Sequence, residues 1–192
     1  MAKVSDMKDR KYSNSDIAVM AVYKWSGALR YVHLEDIAIS AAELSPRRFS
    51  WKKYPDQINL EAVRLALKNE LSAPEGRVTG GIRDGWMLTP IGLTWCLRNA
   101  EVGDAQALLD SIHKEADRAK KTAAFTKTIE NREKEVSKTE VEAILRINEY
   151  SAARNRRERA TALANAAMLD SELKYVLITL KRLGFDQLEV MK

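Results

Sequence analysis

The feature that most constrains this chain is a long stretch without glycine or proline. Residues 104–183 contain neither, and they are rich in Ala, Leu, Glu, Lys and Arg. These five residue types have high helix propensity, whereas glycine and proline are the residues that most often interrupt a helix. The second half of the chain is therefore predicted to be almost entirely α-helical.

The first half differs in composition and in charge. All four prolines and all four tryptophans lie within residues 1–100. This half also contains 15 Lys and Arg against 11 Asp and Glu, so it carries most of the chain's net charge of +5. We therefore divide the chain into two domains, 1–100 and 101–192, and the first is the better candidate for binding a polyanion.

Three helices are predicted before the glycine-rich segment. Ser13 and Asp16 resemble a capping box at the start of the first helix, which Gly27 is expected to end. The stretch "LRYVHL" predicts a single small strand, and "EDIAISAAEL" predicts a second helix that Pro46 ends. The stretch "DQINLEAVRLALKNEL" predicts the third helix. Its inward-facing stripe is expected to consist of Leu60, Val63, Leu67 and Leu71.

A hairpin is predicted next, because glycines cluster in "RVTGGIRDGWMLTPIG". Residues 77–79 and 86–88 form its arms, and "GGIRDG" forms its loop. Thr89 then caps a fourth helix whose first residue is Pro90. The predicted fold class of the whole chain is mainly α with a small β-hairpin.

This order of elements resembles the winged helix-turn-helix domains of bacterial DNA-binding regulators over roughly residues 14–100. The most specific point is the pattern Trp86, Leu88, Thr89 and Gly92 in "WMLTPIG". The resemblance implies that the third helix enters the major groove, and that the hairpin, the wing, contacts the flanking backbone or minor groove. The segment "SPRRFSWKKY" between the second and third helices is longer than the usual turn there.

Nine polar side chains are the candidate DNA-binding residues. They are Arg47, Arg48, Lys52, Lys53, Asn59, Arg64, Lys68, Arg77 and Arg83. The first four lie within seven residues and suit phosphate contacts, and the next three, on the third helix, are expected to read bases. The last two lie at the base and tip of the wing. The alternative is that the clustered cations are only a solvated surface.

Other residues near these positions bear on the same interpretation. Phe49, Trp51 and Tyr54 lie among the clustered cations, and we interpret them as core residues that hold the long segment down; the alternative is that they stack on bases. Glu61 and Glu70 on the third helix weaken its case as a DNA-reading element, because phosphates repel carboxylates.

The helical second half predicts assembly. Its first helix has an apolar seam of Ala105, Leu109, Ile112, Ala116, Ala119 and Ala123. Its last helix has a stronger stripe of Leu169, Leu173, Val176, Leu177 and Leu180. A capping box is expected at Thr139 and Glu142. The arginines between 154 and 159 are interpreted as a solvated face; the alternative is a second nucleic-acid site.

Residues 139–183 could form one long helix, which would need a partner chain, or fold back where Asp170 or Ser171 caps a new helix. The arrangement is similar to PadR-like repressors, whose C-terminal helices dimerise the protein. The resemblance therefore implies a homodimer.

The sequence does not favour an enzyme, a cofactor or a metal. Two histidines and one cysteine have no paired metal-ligand spacing, and neither a phosphate-binding loop nor a nucleophile elbow is present. No signal peptide or membrane-spanning stretch is evident, which indicates a cytoplasmic protein without a membrane partner. We predict a sequence-specific double-stranded DNA-binding protein, a dimeric transcriptional regulator. The alternative is an adaptor subunit that docks onto a larger protein.

Overall fold

The computed structural model describes residues 12–99 and 105–185. These residues form two compact units, one comprising residues 12–27 and 31–99 and the other residues 28–30 and 105–185. Within the described residues there are nine α-helices and one two-stranded antiparallel hairpin, so the predicted fold class is confirmed. None of these helices combines the length and the apolarity that crossing a bilayer requires.

The first unit contains four helices and the hairpin. In chain order the elements are α1 (Asn14–Lys24), α2 (Leu34–Leu44), α3 (Leu60–Leu71), β1 (Val78–Gly81), β2 (Gly85–Leu88) and α4 (Pro90–Asn99). The strand predicted before α2 is reduced to one residue, Val32, which bridges Trp86 of β2. α1 is the central helix, because every residue from Ile17 to Tyr23 is buried.

The start of α1 follows the prediction and its end does not. Ser13 Oγ accepts a hydrogen bond from the backbone N–H of Asp16, whose carboxylate accepts one from the backbone N–H of Ser13 at 2.8 Å. The helix ends at Lys24, and the left-handed residue beyond it is Ser26, with φ of 59°, not Gly27. Gly27 is required for space, because a Cβ there would lie 2.3 Å from Cγ1 of Val22.

The junction between the hairpin and α4 explains the "LTPIG" pattern. Thr89 Oγ1 donates to the carbonyl of Gly76 at 2.9 Å and accepts from the backbone N–H of Gly92 at 3.1 Å. Gly92 lies so close to β1's entry that a Cβ would be 1.9 Å from the carbonyl oxygen of Arg77. The threonine therefore fixes the start of α4, and the glycine allows the helix to pack directly on the backbone before β1.

The buried face of α3 differs from the predicted stripe. Its buried residues are Val63, Ala66, Leu67 and Glu70. Leu60 and Leu71, which were expected to face inward, are each 42% exposed. The inward face of α3 therefore includes Glu70. Sequence patterning assigns a glutamate to solvent, because a carboxylate is buried only where it has a partner.

The second unit contains five helices. They are α5 (Ala105–Lys120), α6 (Ala123–Ile129), α7 (Lys138–Leu145), α8 (Ala153–Ala167) and α9 (Ser171–Arg182), with a 3₁₀ turn at Glu133–Glu135. Residues 139–183 are therefore divided among three helices. The fold-back before α9 occurs where it was predicted, and the Asp170 carboxylate caps the helix by accepting from the N–H of Leu173 at 2.9 Å.

The interruptions between these helices use neither glycine nor proline. Asn131 and Arg146, which follow α6 and α7, adopt left-handed backbone conformations with φ of 58° and 56°. The loop before α8 is fastened by Arg156, whose guanidinium donates to the carbonyls of Asn148 and Ser151 at 2.7 and 2.9 Å. Arg156 is therefore a structural residue, in contrast to the solvated face predicted for this group of arginines.

A capping box begins α7, but two residues earlier than predicted. It is formed by Ser137 and Glu140, in place of Thr139 and Glu142: the Glu140 carboxylate accepts from the backbone N–H of Ser137 at 2.8 Å. Both pairs have the required three-residue spacing, so the spacing alone does not choose between them.

The apolar stripes of the second unit are covered by its own helices. α8 packs against α5, α7 and α9, and α9 also packs against α6. The buried residues of α9 are Leu173, Val176, Leu177 and Leu180. Those of α5 include Leu108, Ile112, Ala116 and Ala119. Three positions of the predicted seams differ: Leu109 and Leu169 are only half-buried, and Ala123 is exposed. The side chain of Ala105 lies outside the described residues.

Candidate nucleic-acid interface

The long segment between α2 and α3, here called the α2–α3 loop (residues 45–59), is an ordered structure. Ser50 forms an antiparallel bridge with Ile58, and the backbone N–H of Asn59 donates to the carbonyl of Phe49 at 2.7 Å. Phe49 is fully buried and anchors the base of the loop in the core. These contacts hold the base of the loop at the N-terminus of α3.

The far end of the loop, here called the tip (residues 51–57), exposes two aromatic rings. Trp51 is 50% exposed and Tyr54 is 58% exposed. The prediction that Phe49, Trp51 and Tyr54 are all core residues is therefore right for Phe49 and wrong for the other two. Backbone hydrogen bonds order the tip without these side chains, because Trp51 N–H donates to Gln57 and Tyr54 N–H donates to Trp51.

The four cations of the loop differ in their surroundings. Lys52 and Lys53 are exposed and make no hydrogen bond or ion pair with any described residue. Arg47 is also exposed. Arg48 is half-buried, and its guanidinium donates to the carbonyl of Tyr12, which fastens the loop to the start of α1. Arg48 is therefore a structural residue first, and Lys52 and Lys53 are better placed to meet a ligand.

Two of the three α3 residues that were expected to read bases are occupied within the protein. Asn59 is the N-cap of α3, and its side-chain oxygen accepts from the N–H of Ala62 at 3.2 Å. Arg64 forms a two-bond ion pair with Glu61, with Nε 2.6 Å from Oε2. Lys68 is exposed and makes no hydrogen bond or ion pair with a described residue, although, after the hydrogen bond from Arg64, its charge also helps to lower the pKa of Glu61. The outward face of α3 is therefore poor in available hydrogen-bonding groups.

Arg77 is removed from the candidate set, because it lies in an ion-pair cluster formed with Asp16, Glu70 and Trp95, here called the Arg77 cluster. Its guanidinium nitrogens lie 2.6 Å from Glu70 Oε2 and 2.7 Å from Asp16 Oδ1. The guanidinium carbon lies 4.3 Å from the centre of the Trp95 ring. The cluster joins α1, α3, α4 and the residue before β1, and it explains how Glu70 is buried.

The Arg77 cluster is charged at neutral pH. Hydrogen bonds from Arg77 hold the pKa of Glu70 below its usual value in spite of burial. Burial raises the pKa of Asp16, but hydrogen bonds from Ser13 and Arg77 outweigh burial and lower it overall. The hydrogen bonds to Glu70 are the main reason that the pKa of Arg77 is raised. Glu70 therefore faces Arg77. The sequence suggested that Glu70 would oppose phosphates at the surface, and in the structure it does not.

The hairpin presents a three-residue loop, shorter than the predicted one. Gly81 pairs with Gly85, which leaves Ile82, Arg83 and Asp84 at the turn. Arg83 is exposed, has no polar partner among the described residues, and lies beside Ile82, which is 62% exposed. Arg83 is thus available to a ligand.

The described residues include no group of three or more His, Cys, Asp or Glu side chains that could hold a metal ion. The single cysteine, Cys96, is buried, and burial raises its pKa to about 12, so the thiol is protonated at neutral pH. A protonated, buried thiol is a poor nucleophile.

Comparison of the chain with family models, with curated proteins and with solved structures gives no significant match. The function must therefore be inferred from the residues and the geometry described above.

Proposed function

We propose that the first unit binds double-stranded DNA, with phosphate contacts supplying most of the affinity. The observation that carries the proposal is a set of exposed cations that make no hydrogen bond or ion pair with a described residue. These are Lys52, Lys53, Lys68 and Arg83. They lie on the α2–α3 loop, on α3 and at the hairpin turn, which are the three places where a winged helix would meet a duplex.

Phosphate contact is favoured over base reading by the state of α3. Asn59 is used as a helix cap and Arg64 is paired with Glu61, so a base contact by either would have to displace an existing hydrogen bond. Lys68 remains available, but a single lysine is a weak sequence reader. The proposed role is transcriptional regulation, with sequence preference arising from DNA shape more than from direct base contacts.

Homodimerisation is a separate proposal. The apolar stripes that predicted a partner chain, above all Leu173 and Leu177 on α9, are 0% exposed within the second unit. A dimer would therefore have to use other surfaces. Light scattering of the full chain at micromolar concentration would measure the mass, and a monomer would exclude the two-half-site arrangement.

The experiment for DNA binding is fluorescence anisotropy of a blunt duplex of about 30 base pairs, titrated at low and moderate salt. Lys52→Ala/Lys53→Ala should lower the affinity and make the salt slope shallower by about two units, since each phosphate contact contributes about 0.9. A matched control is Lys121→Ala/Lys174→Ala, which removes two exposed lysines from the second unit. Equal effects of the two double substitutions would contradict the proposed site.

A second candidate function, docking onto another protein, has one observation in its favour. Leu60, Leu65 and Leu71 of α3 are 42–44% exposed. If the blunt duplex shows no binding even at low salt, the docking function is favoured over DNA binding. In that case Leu65→Lys, which adds a charge to the exposed face without touching the core, is the substitution to test against partners.

A further inference from the structure

The tip of the α2–α3 loop carries two exposed aromatic rings, and the backbone hydrogen bonds that order the tip do not use them. We propose that the tip binds an unpaired stretch of nucleic acid, such as a single-stranded tail beside a duplex, with bases stacking on Trp51 and Tyr54. This proposal rests on the proposed function and adds a substrate class to it.

The two exposed rings differ from the ring that anchors the loop. Phe49 is 0% exposed and fills the core, whereas Trp51 and Tyr54 are at least half exposed. Neither exposed ring contacts another aromatic ring or a cation among the described residues. About half of the surface of each residue is therefore open to a ligand.

The backbone of the tip is ordered by its own hydrogen bonds. The N–H of Trp51 donates to the carbonyl of Gln57 at 3.1 Å, and the N–H of Gln57 donates to the carbonyl of Tyr54 at 3.0 Å. These backbone bonds close the tip into a turn that fixes the backbone positions of the two aromatic residues. A tip whose backbone is ordered in advance loses less conformational entropy when a base stacks on its rings.

The tip also carries more positive than negative charge. Lys52 and Lys53 lie between the two aromatic residues, exposed and without polar partners, while Asp56 is the tip's only acidic residue. A pair of cations flanked by aromatics matches a single strand, whose phosphates and base faces are both accessible. In a duplex the base faces are stacked on one another, so an aromatic ring has no face to stack on unless a base is unpaired.

Aromatic and basic residues together also suit a lipid headgroup surface. Nucleic acid is favoured here because the tip carries no Leu, Ile, Val or Met side chain that could insert among acyl chains; its sequence is "WKKYPDQ". Binding to anionic vesicles is therefore an outcome that the experiment must be able to return.

The test compares three labelled probes with the full chain by anisotropy: a blunt duplex of about 20 base pairs, the same duplex with a tail of about 10 thymidines, and the tail alone. We expect the tailed duplex to bind about tenfold more tightly than the blunt one. Trp51→Ala/Tyr54→Ala should abolish this advantage and leave blunt-duplex affinity within about twofold. Trp51→Phe/Tyr54→Phe, which keeps both rings, should retain most of it.

Tyr150→Ala is the matched control, because Tyr150 is 86% exposed but lies in the second unit. A direct readout is tryptophan fluorescence: the tail should quench wild type more than Trp51→Phe. The proposal is overturned if the tail adds no affinity, if the double alanine variant keeps the advantage, or if only anionic vesicles bind. Blunt-duplex binding without a tail effect would overturn this inference alone, and absence of binding to every DNA probe would overturn the proposed function as well.

Discussion

Arg77 and the lysines of the α2–α3 loop are basic residues of one unit, and the sequence placed both in the same candidate interface. In the structure, Arg77 is enclosed by Glu70, Asp16 and the ring of Trp95, and its side chain is 16% exposed. Lys52 and Lys53 are exposed and have no polar partner among the described residues. The first is part of the fold, and the other two are available to a ligand.

The difference teaches where a cation can be used for binding. A phosphate can replace water around an exposed lysine at little cost, and it releases counterions as it does so. It cannot compete for Arg77, because removing that guanidinium would leave the buried carboxylate of Glu70 without its partner. The count of basic residues in a segment is therefore a poor guide to its binding capacity until the partners of each residue are known.

The largest expected effect is the loss of the Arg77 cluster. Arg77→Ala leaves Glu70 and Asp16 without their shared partner, and it should lower the free energy of unfolding by about 3–5 kcal/mol. Urea unfolding followed by tryptophan fluorescence is the measurement. All four tryptophans lie in the first half of the chain, so the signal reports on the first unit.

Arg83→Ala is the matched control for this experiment. Arg83 is an exposed arginine of the same hairpin, and its removal should change the free energy of unfolding by no more than about 0.5 kcal/mol. If the two substitutions destabilised the protein equally, the distinction between a structural and an available arginine would be lost.

An intermediate effect is expected from acid. The pKa values of Glu70 and Asp16 are lowered in the folded protein, so their stabilising contribution is complete above the unfolded-state pKa of about 4 and is lost as the pH falls through the lower folded-state values. Glu70→Gln should be less stable than wild type at neutral pH, because it cannot form the ion pair with Arg77.

The gap between Glu70→Gln and wild type should narrow as the pH falls from about 5 to about 2, since wild-type Glu70 then becomes neutral as well. Urea unfolding at a series of pH values measures the gap. Glu75→Gln, which alters an exposed carboxylate nearby, should run parallel to wild type. A gap that stays constant down to the lowest pH would contradict the assigned ion pair.

Much of the fold could be predicted because its signals are local. Ser13 with Asp16 marks the start of α1 within four residues, and Thr89 with Pro90 marks the start of α4. The glycine cluster marks the hairpin for the same reason: Gly80 and Gly85 adopt positive φ values, which few other residues tolerate. Such choices depend on neighbours along the chain, so a sequence can state them.

The misassigned residues depend on contacts between distant parts of the chain. Arg77 and Asp16 are 61 positions apart, and neither residue alone indicates that the other neutralises it. The same pairing turns α3 so that Glu70 is buried and Leu60 is exposed, which no helical periodicity of α3 predicts. The helix end at Arg146 is a further example, because a left-handed arginine has no sequence signal comparable to glycine.

The prediction for the aromatic residues of the α2–α3 loop was wrong for a different reason. Three aromatics in six residues suggested a packed loop, but one buried ring, Phe49, is enough to anchor it, and the backbone orders the tip. A pattern of hydrophobic residues without a helical or strand period does not say which members face inward.

The smallest expected effect concerns the exposed lysines of the α2–α3 loop. Lys52→Ala/Lys53→Ala should leave the free energy of unfolding within about 0.5 kcal/mol of wild type, because neither side chain contacts a polar partner in the described residues. Urea unfolding by tryptophan fluorescence measures it. A loss above about 1 kcal/mol would mean that these lysines, like Arg77, stabilise the fold, and any loss of DNA affinity in this variant could then come from unfolding. An unchanged stability makes a change in affinity a property of the binding surface.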